Sequence, residues 1–365
     1  MADWQAGTTM TQSPLSRTLS HGGMPGLEGL IMVAGGGGFI GGHLVNALLA
    51  QGCRVRAVDC KPFADWHQFN PAADNIVADL SRLEACHAAA RGVGVIYNLA
   101  ADMGGMGFIE AHRAECMLSV LINTHLLLAA RDAGVSRFFF SSSACVYAAG
   151  HQQSPAVLPL KESDAYPAEP EDGYGWEKLF SERMCRHFTE DFGLETRVAR
   201  YHNVCGPQGT YEGGREKAPA AICRKVAVAK LSGQRDIEIW GDGEQTRSFM
   251  YIDDCVEGTL RLTNSDVRHP VNVGSAELVS INQLVDIVSD IAGVQLRRTH
   301  NLSAPQGVRG RNSENTLVQE TLGWAPSIPL RAGLEQTYRW IYDELTAGAV
   351  PGQAPASRQH ATATA

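Results

Sequence analysis

The chain contains no C-x-x-C pair, and its nine cysteines, at positions 53, 60, 86, 116, 145, 185, 205, 223 and 255, are scattered and odd in number. That spacing supports neither a disulfide framework nor a zinc site, so no metal is expected, and free thiols of this kind point to a reducing, cytoplasmic setting. No apolar stretch approaches the roughly 20 residues a membrane helix requires. A dense Lys/Arg run is also missing, and the formal net charge is −8. Nucleic acid and anionic membrane are therefore not expected as partners, whereas a small anionic ligand needs only a few well-placed cations. No internal repeat is found. Residues 1 to 27 have neither a basic n-region nor an apolar h-region and read as a disordered extension rather than a signal peptide. The tail from 347 to 365 has the same character.

Between those ends lies a soluble, globular composition, 44% hydrophobic and 19% charged over 365 residues in total. Apolar runs and helical patterns alternate: a strand at 30 to 34, a helix at 39 to 51, a strand at 54 to 58 ending in Asp59, and a strand at 75 to 78. A helix near 80 to 90 follows, then a strand at 94 to 100, one long helix from about 109 to 133, a strand at 137 to 140, a helix at 174 to 192 and a strand at 196 to 200. Strand, helix, strand is the unit of a parallel sheet, so the expected fold class is α/β, a doubly wound parallel sheet of Rossmann type with a smaller C-terminal substrate-binding lobe. The dinucleotide-binding part is expected over 28 to 201, with 250 to 262 added to it, and the substrate lobe over 202 to 346. Ligands bind at the carboxyl ends of such strands.

At the first strand end, "VAGGGGFIGGHL" carries Gly35, Gly38 and Gly41 as G-x-x-G-x-x-G. Glycines there allow a tight turn and close approach of backbone to a pyrophosphate, with the free amides of Phe39, Ile40 and Gly41 at the helix start. Asp59, at the end of the next strand, suits the ribose diol and repels a 2′-phosphate, which favours NAD over NADP; Lys61 beside it tempers that preference. Asp79 is a candidate for the adenine ring.

Tyr174 and Lys178 stand four apart in "DGYGWEKLFSE" and share a helix face. An adjacent ammonium favours the phenolate, so Tyr174 can take a proton from a sugar hydroxyl as hydride leaves. The strand "FFFSSSACVY" ends in serines, of which Ser143 is the choice for orienting the substrate oxygen. Glycine turn, strand-end serine and Y-x-x-x-K in this order resemble the extended short-chain dehydrogenase/reductase superfamily over residues 29 to 345.

Sugar-nucleotide 4,6-dehydratases of that superfamily carry Thr-Asp-Glu after the serine strand; here Ala144 and Cys145 follow Ser143, and a thiol takes the position beside the reactive carbon. "GTYEGGREKAPAAICRK" adds Glu216 and Lys217 behind a flexible Gly-Gly, and a desolvated lysine can act as both acid and base. Together "ADMGGMGFIE", "SSSACVY", "KESDAYPAEPEDGYGWEK", "YHNVCGPQGT", "GGREKAPAA", "WGDGEQTRSF" and "GVRGRNSEN" resemble the GDP-mannose 3,5-epimerase family. The resemblance implies NAD as a recycled hydride carrier and GDP-mannose as substrate. A transient C4 ketone acidifies C3 and C5, Cys145 and Lys217 exchange their protons, and the products are GDP-L-galactose and GDP-L-gulose. Tyr166 in place of Trp, Cys205 in place of Tyr, Trp176 in place of an aliphatic residue and the altered start of the glycine turn depart from the family pattern.

The same resemblance implies substrate contacts from Gly104, Ser143, Ala144, Cys145, Asn203, Glu216, Lys217 and Ala218. Lys225, Arg309 and Arg311 are the diphosphate candidates, with the R-G-R register open, and Trp240, Gly241 and Asp242, supported by Arg247, are candidates for the base. Gly104 and Gly105 are expected to let backbone approach the hexose, flanked by Met103 and Met106. A homodimer is expected by analogy through helices near 109 to 133 and 174 to 190. Two rivals stay open: an NDP-sugar 4-epimerase of the same fold, in which Cys145 and Lys217 would be passive, and a regulator that binds NAD without turnover.

Overall fold

The computed structural model describes residues 29–347; the extensions expected at 1–27 and beyond 347 lie outside the described residues. The first half runs β1 (Leu30–Ala34), α1 (Phe39–Ala50), β2 (Arg54–Asp59), β3 (Asp74–Val77), α2 (Leu83–Ala89), β4 (Val93–Asn98), α3 (Met106–Ala111), α4 (Arg113–Asp132), β5 (Arg137–Ser143), α5 (Tyr174–Phe192) and β6 (Glu195–Tyr201). The second half continues with β7 (Val204–Cys205), α6 (Ala218–Ser232), β8 (Asp236–Trp240), β9 (Thr246–Ser248), β10 (Met250–Tyr251), α7 (Ile252–Thr263) and β11 (Val271–Val273). It closes with β12 (Leu278–Ser280), α8 (Ile281–Ala292), β13 (Arg297–Asn301), β14 (Gly310–Arg311), α9 (Thr316–Leu322) and α10 (Leu330–Ala347).

Seven parallel strands form the central sheet in the order β11-β6-β5-β4-β1-β2-β3. Side chains alternate across it, as the pleat demands. Ile31, Val33, Val95, Tyr97 and Phe139 face a core completed by Leu44 and Leu48 of α1 and by Cys255 and Val256 of α7. Met32, Ile96, Phe138 and Phe140 face the opposite core with Cys86 of α2, Leu126 and Leu127 of α4, and Cys185 of α5. The order reverses between β1 and β4, where a crevice opens at the carboxyl ends. β11 pairs with β6, Val271 opposite Ala199, so a strand from late in the chain completes the sheet.

The lobe over those strand ends has its own core, in which Ile222 and Val226 of α6, Leu284 and Val288 of α8, and Leu334 and Ile341 of α10 come together. Ser280 and Gln283 cap α8 reciprocally. A small sheet, β12-β9-β14, sets Arg247 directly opposite Arg311.

Two expectations need correction. The single helix at 109 to 133 is two, because His112 leaves helical geometry at φ −126° and ψ 47°, and its ring stacks on Phe108 at 4.3 Å. The strand expected at 94 to 100 ends at Asn98, after which the chain turns into the glycine-rich loop.

Candidate active site

β1 ends at Ala34, and Gly35 turns the chain at φ +81°. A Cβ on Gly41 would lie 2.0 Å from the Gly35 carbonyl oxygen, so helix and turn can meet this closely only without a side chain. α1 then starts at Phe39 with no side-chain cap on its first turn, which leaves the amides of Phe39, Ile40 and Gly41 the positive end of a 12-residue helix. Asp59 is buried, and its carboxylate accepts from the Gly37 amide at 3.1 Å and the Lys61 amide at 3.1 Å. The Lys61 ammonium is turned back onto the Gly37 carbonyl at 2.9 Å. Asp79 is held by the Ser81 amide at 2.9 Å and faces Arg82. These hydrogen bonds, Ser81 foremost, lower its pKa.

β5 delivers the hydroxyl and the thiol. Ser143 ends the strand and its Oγ accepts from the Cys145 amide at 3.2 Å, folding Ala144–Val146 into one 3-10 turn. That turn sets Cys145, 7% exposed, in a cluster with Tyr174, Cys116, Phe108 and Ile109. Tyr174 opens α5; burial first, then the neighbouring Cys145 and Glu177, push its phenol well above the ordinary value, opposed by the Ser143 hydroxyl. Without a further positive charge beside it, the phenol therefore stays protonated. α5 presses onto the cysteine: a Cβ on Gly175 would come within 2.4 Å of the Cys145 carbonyl oxygen.

Lys178, one helical turn on, is 1% exposed. Its ammonium meets Glu177 Oε2 at 3.6 Å and lies over the rings of Phe140 at 4.7 Å and Tyr174 at 5.4 Å, with no hydrogen-bond acceptor among the described residues. A buried ammonium with unused donors fits the hydroxyls of a dinucleotide ribose. The residues present fit NAD.

From the other lobe comes Lys217, the residue that caps α6. Burial lowers its pKa, opposed by Cys145, Cys255 and Cys205, whose thiols lie within electrostatic reach. Arg311 is 4% exposed; its Nε donates to Gln152 Oε1 at 2.7 Å, Nη2 to Glu171, and Nη1 to Cys145 Sγ at 3.6 Å. Arg247, its partner across β9 and β14, donates to the carbonyls of Gln306 and Val308. Burial pushes its pKa down to about 10, Cys145 opposing and Arg309 adding. A cleft of about 400 Å³ lined by Met106, Ile109, Arg113, Glu171, Gln306 and Val308 opens beside this cluster.

The remaining expected residues form the lobe side. Arg309 grips Asp242 with two bonds, at 3.0 and 2.9 Å, so the two arginines of R-G-R have different tasks. Gly241, at φ +74°, packs on Gln306, and Trp240 stands half exposed beneath Lys225 at 6.0 Å. Lys225 Nζ already donates to the Glu238 carbonyl at 2.8 Å. Asn203 sits at φ +29° and donates to the Ser248 carbonyl. Glu216 accepts from the Gly214 amide, and Ala218 begins α6. Gly104 and Gly105 are also required by the protein itself: a Cβ on Gly104 would touch Phe108 at 2.8 Å, and one on Gly105 would strike the Glu216 carbonyl at 2.5 Å. Gln152, Glu171 and Arg215 drew no attention in the sequence. The one signal that could have found the last two is adjacency: Glu171 lies in the acidic stretch just before Tyr174, and Arg215 two residues before Lys217.

Residues 31–274 match the model of the NAD dependent epimerase/dehydratase family. Among curated proteins, GDP-mannose 3,5-epimerase 1 of Oryza sativa subsp. japonica is 49% identical over 316 residues, covering 86% of this chain and 82% of the relative. GDP-mannose 3,5-epimerase of Arabidopsis thaliana is 48% identical over the same shares. Among solved structures, UDP-glucose 4-epimerase from Thermotoga maritima with UDP-glucose superposes with a TM-score of 0.77 at 26% identity, covering 87% of this chain and 99% of that one. MoeE5 in complex with UDP-glucuronic acid and NAD gives 0.73 at 27%, covering 86% and 99%.

Proposed function

This chain belongs to the NAD dependent epimerase/dehydratase family, and we propose that it is a GDP-mannose 3,5-epimerase. What supports this reading is that two side chains able to transfer protons come from different lobes, Cys145 from the turn after β5 and Lys217 from the start of α6, and lie within electrostatic reach of each other, Cys145 beside Ser143 and Tyr174. A 4-epimerase has no use for either.

NAD, when bound, supplies a reversible hydride acceptor for C4 of the hexose. Its pyrophosphate would rest on the amides of Phe39, Ile40 and Gly41, its adenosine ribose on Asp59, its adenine near Asp79, and its nicotinamide ribose on Lys178. Ser143 and Tyr174 grip the C4 hydroxyl, and Tyr174 takes its proton once the positive charge beside it offsets the effect of burial. With C4 a ketone, the hydrogens on C3 and C5 become acidic. Cys145 and Lys217 remove and return them from opposite faces, and the lowered pKa that burial gives Lys217 eases the loss of its own proton. The diphosphate meets the guanidiniums of Arg311 and of Arg247 opposite it, while Arg309 holds Asp242 in the base loop, and the base meets Trp240, Gly241, Asp242 and Lys225, with Asn203 and Glu216 beside the sugar.

The assembly we propose is a homodimer through α4 and α5, on which Met117, Leu118, Leu121, Trp176 and Phe180 are exposed. Nine free thiols favour a cytoplasmic setting.

Incubation with GDP-mannose in deuterated water, followed by proton NMR, tests the activity. Exchange at both C3 and C5 with new galactose-type signals is expected. Epimerisation at C4 without deuterium at C3 or C5 would favour the 4-epimerase reading, and no reaction after NAD is supplied would overturn the substrate.

A further inference from the structure

The segment that brings Lys217 to the site has little structure of its own. Gly213 and Gly214 lie in the left-handed region at φ +89° and +88°, and the Gly214 amide is tied only to the Glu216 side chain next to it. What joins this segment to the sheet domain is its neighbour, Arg215. The Arg215 carbonyl accepts from the Gly105 amide at 3.0 Å. Its Nη1 pairs with Asp102 at 2.5 Å and donates to the Met103 carbonyl at 3.3 Å. Its guanidinium carbon lies 3.8 Å from the centroid of the Phe108 ring, which stacks in turn on His112. Gly105 leaves the space into which the Glu216 carbonyl fits.

We propose that Arg215 is a positioning residue: it clasps the 213–217 segment to the 102–108 loop, and so holds Lys217 across the hexose from Cys145. The proposal rests on the reading of Lys217 as an acid/base group. Cys145 is fixed to the sheet by its own turn, whereas Lys217 arrives on another lobe behind two glycines, so the distance between them is set where the two loops touch. An exposed ion pair and a cation over a ring add little to global stability. A displacement of about 1 Å at a reacting group, by contrast, costs on the order of a hundredfold in rate. The clasp therefore acts on the proton-transfer step far more than on folding.

The test compares the full-length protein with R215A, R215K and K217M, each supplied with NAD and GDP-mannose in deuterated water. Deuterium entering C3 and C5 is followed by NMR, absorbance at 340 nm reports oxidation at C4, and thermal melting reports folding. For R215A we expect exchange at the carbon served by Lys217 to fall by roughly tenfold or more, with a smaller change at the other carbon, a 340 nm signal that persists and a melting temperature near that of the parent. R215K keeps the pair with Asp102 but loses the planar fork, so partial recovery is expected. Exchange in R215A that matches the parent, or that falls in step with the 340 nm signal, overturns the clasp. K217M exchanging as the parent does would sink the acid/base reading, and the clasp with it; K217M inactive in exchange beside an unaffected R215A would sink the clasp alone.

Discussion

At the scale of single residues, the site is built by burial acting on ionisable groups. His202 shows the effect most simply. It is fully buried, Nε2 donates to Asn272 at 2.9 Å, and Nδ1 has no partner. Burial pushes its pKa down to about 4, against about 6.5 in an unfolded chain. Between those values the unfolded chain binds the extra proton, so this histidine costs stability as pH falls from about 6.5 to 4, by up to roughly 3 kcal/mol. We expect H202Q to show a flatter fall in unfolding free energy across that window, by about one proton; an unchanged slope in denaturant titrations from pH 4 to 7 would refute this. Residues such as Tyr174, Lys178 and Cys145 are legible in the sequence because their types and spacing follow from the chemistry. Gly105 was legible only as a glycine. Whether its missing side chain admits a ligand or a neighbouring backbone depends on the Glu216 carbonyl, more than a hundred residues away.

Elements carry two duties at once. The inner face of α5 presents Tyr174 and Lys178, while Trp176 and Phe180 stand half exposed on its outside, beside Met117, Leu118 and Leu121 of α4. Apolar side chains grouped this way suit the proposed dimer surface. We expect L118E to shift the protein from dimer to monomer in analytical ultracentrifugation at micromolar concentration while leaving the far-UV spectrum intact; a parent that sediments as a monomer would remove the proposed dimer. The break at His112 shows why element boundaries escaped the sequence. Hydrophobic periodicity runs straight through it, yet α3 must aim Phe108 at Arg215 while α4 packs on the sheet, and one straight helix cannot do both.

For the whole molecule, the sheet and the lobe cannot be parted at residue 201. β11 closes the sheet beside β6, and Cys255, Val256 and Leu260 of α7 complete the core over Val33, Val95 and Phe139. A fragment of residues 29–201 would expose that face, so we expect it to aggregate or to bind hydrophobic dye without a cooperative thermal transition; a sharp two-state melt of the soluble fragment would contradict this. The sequence by itself determined the α/β alternation, the glycine turn with its acid at Asp59, and the serine–tyrosine–lysine set. Each of these follows from local periodicity or from chemistry within a few residues. Only the tertiary structure decided that Arg311 reaches Cys145 while Arg309 holds Asp242, that Arg247 lies opposite Arg311, and that Arg215 joins the two loops. Those contacts span from about 60 to about 170 residues of chain, and a side chain's partner at such a range is fixed by how the lobes pack and by nothing in its neighbouring sequence.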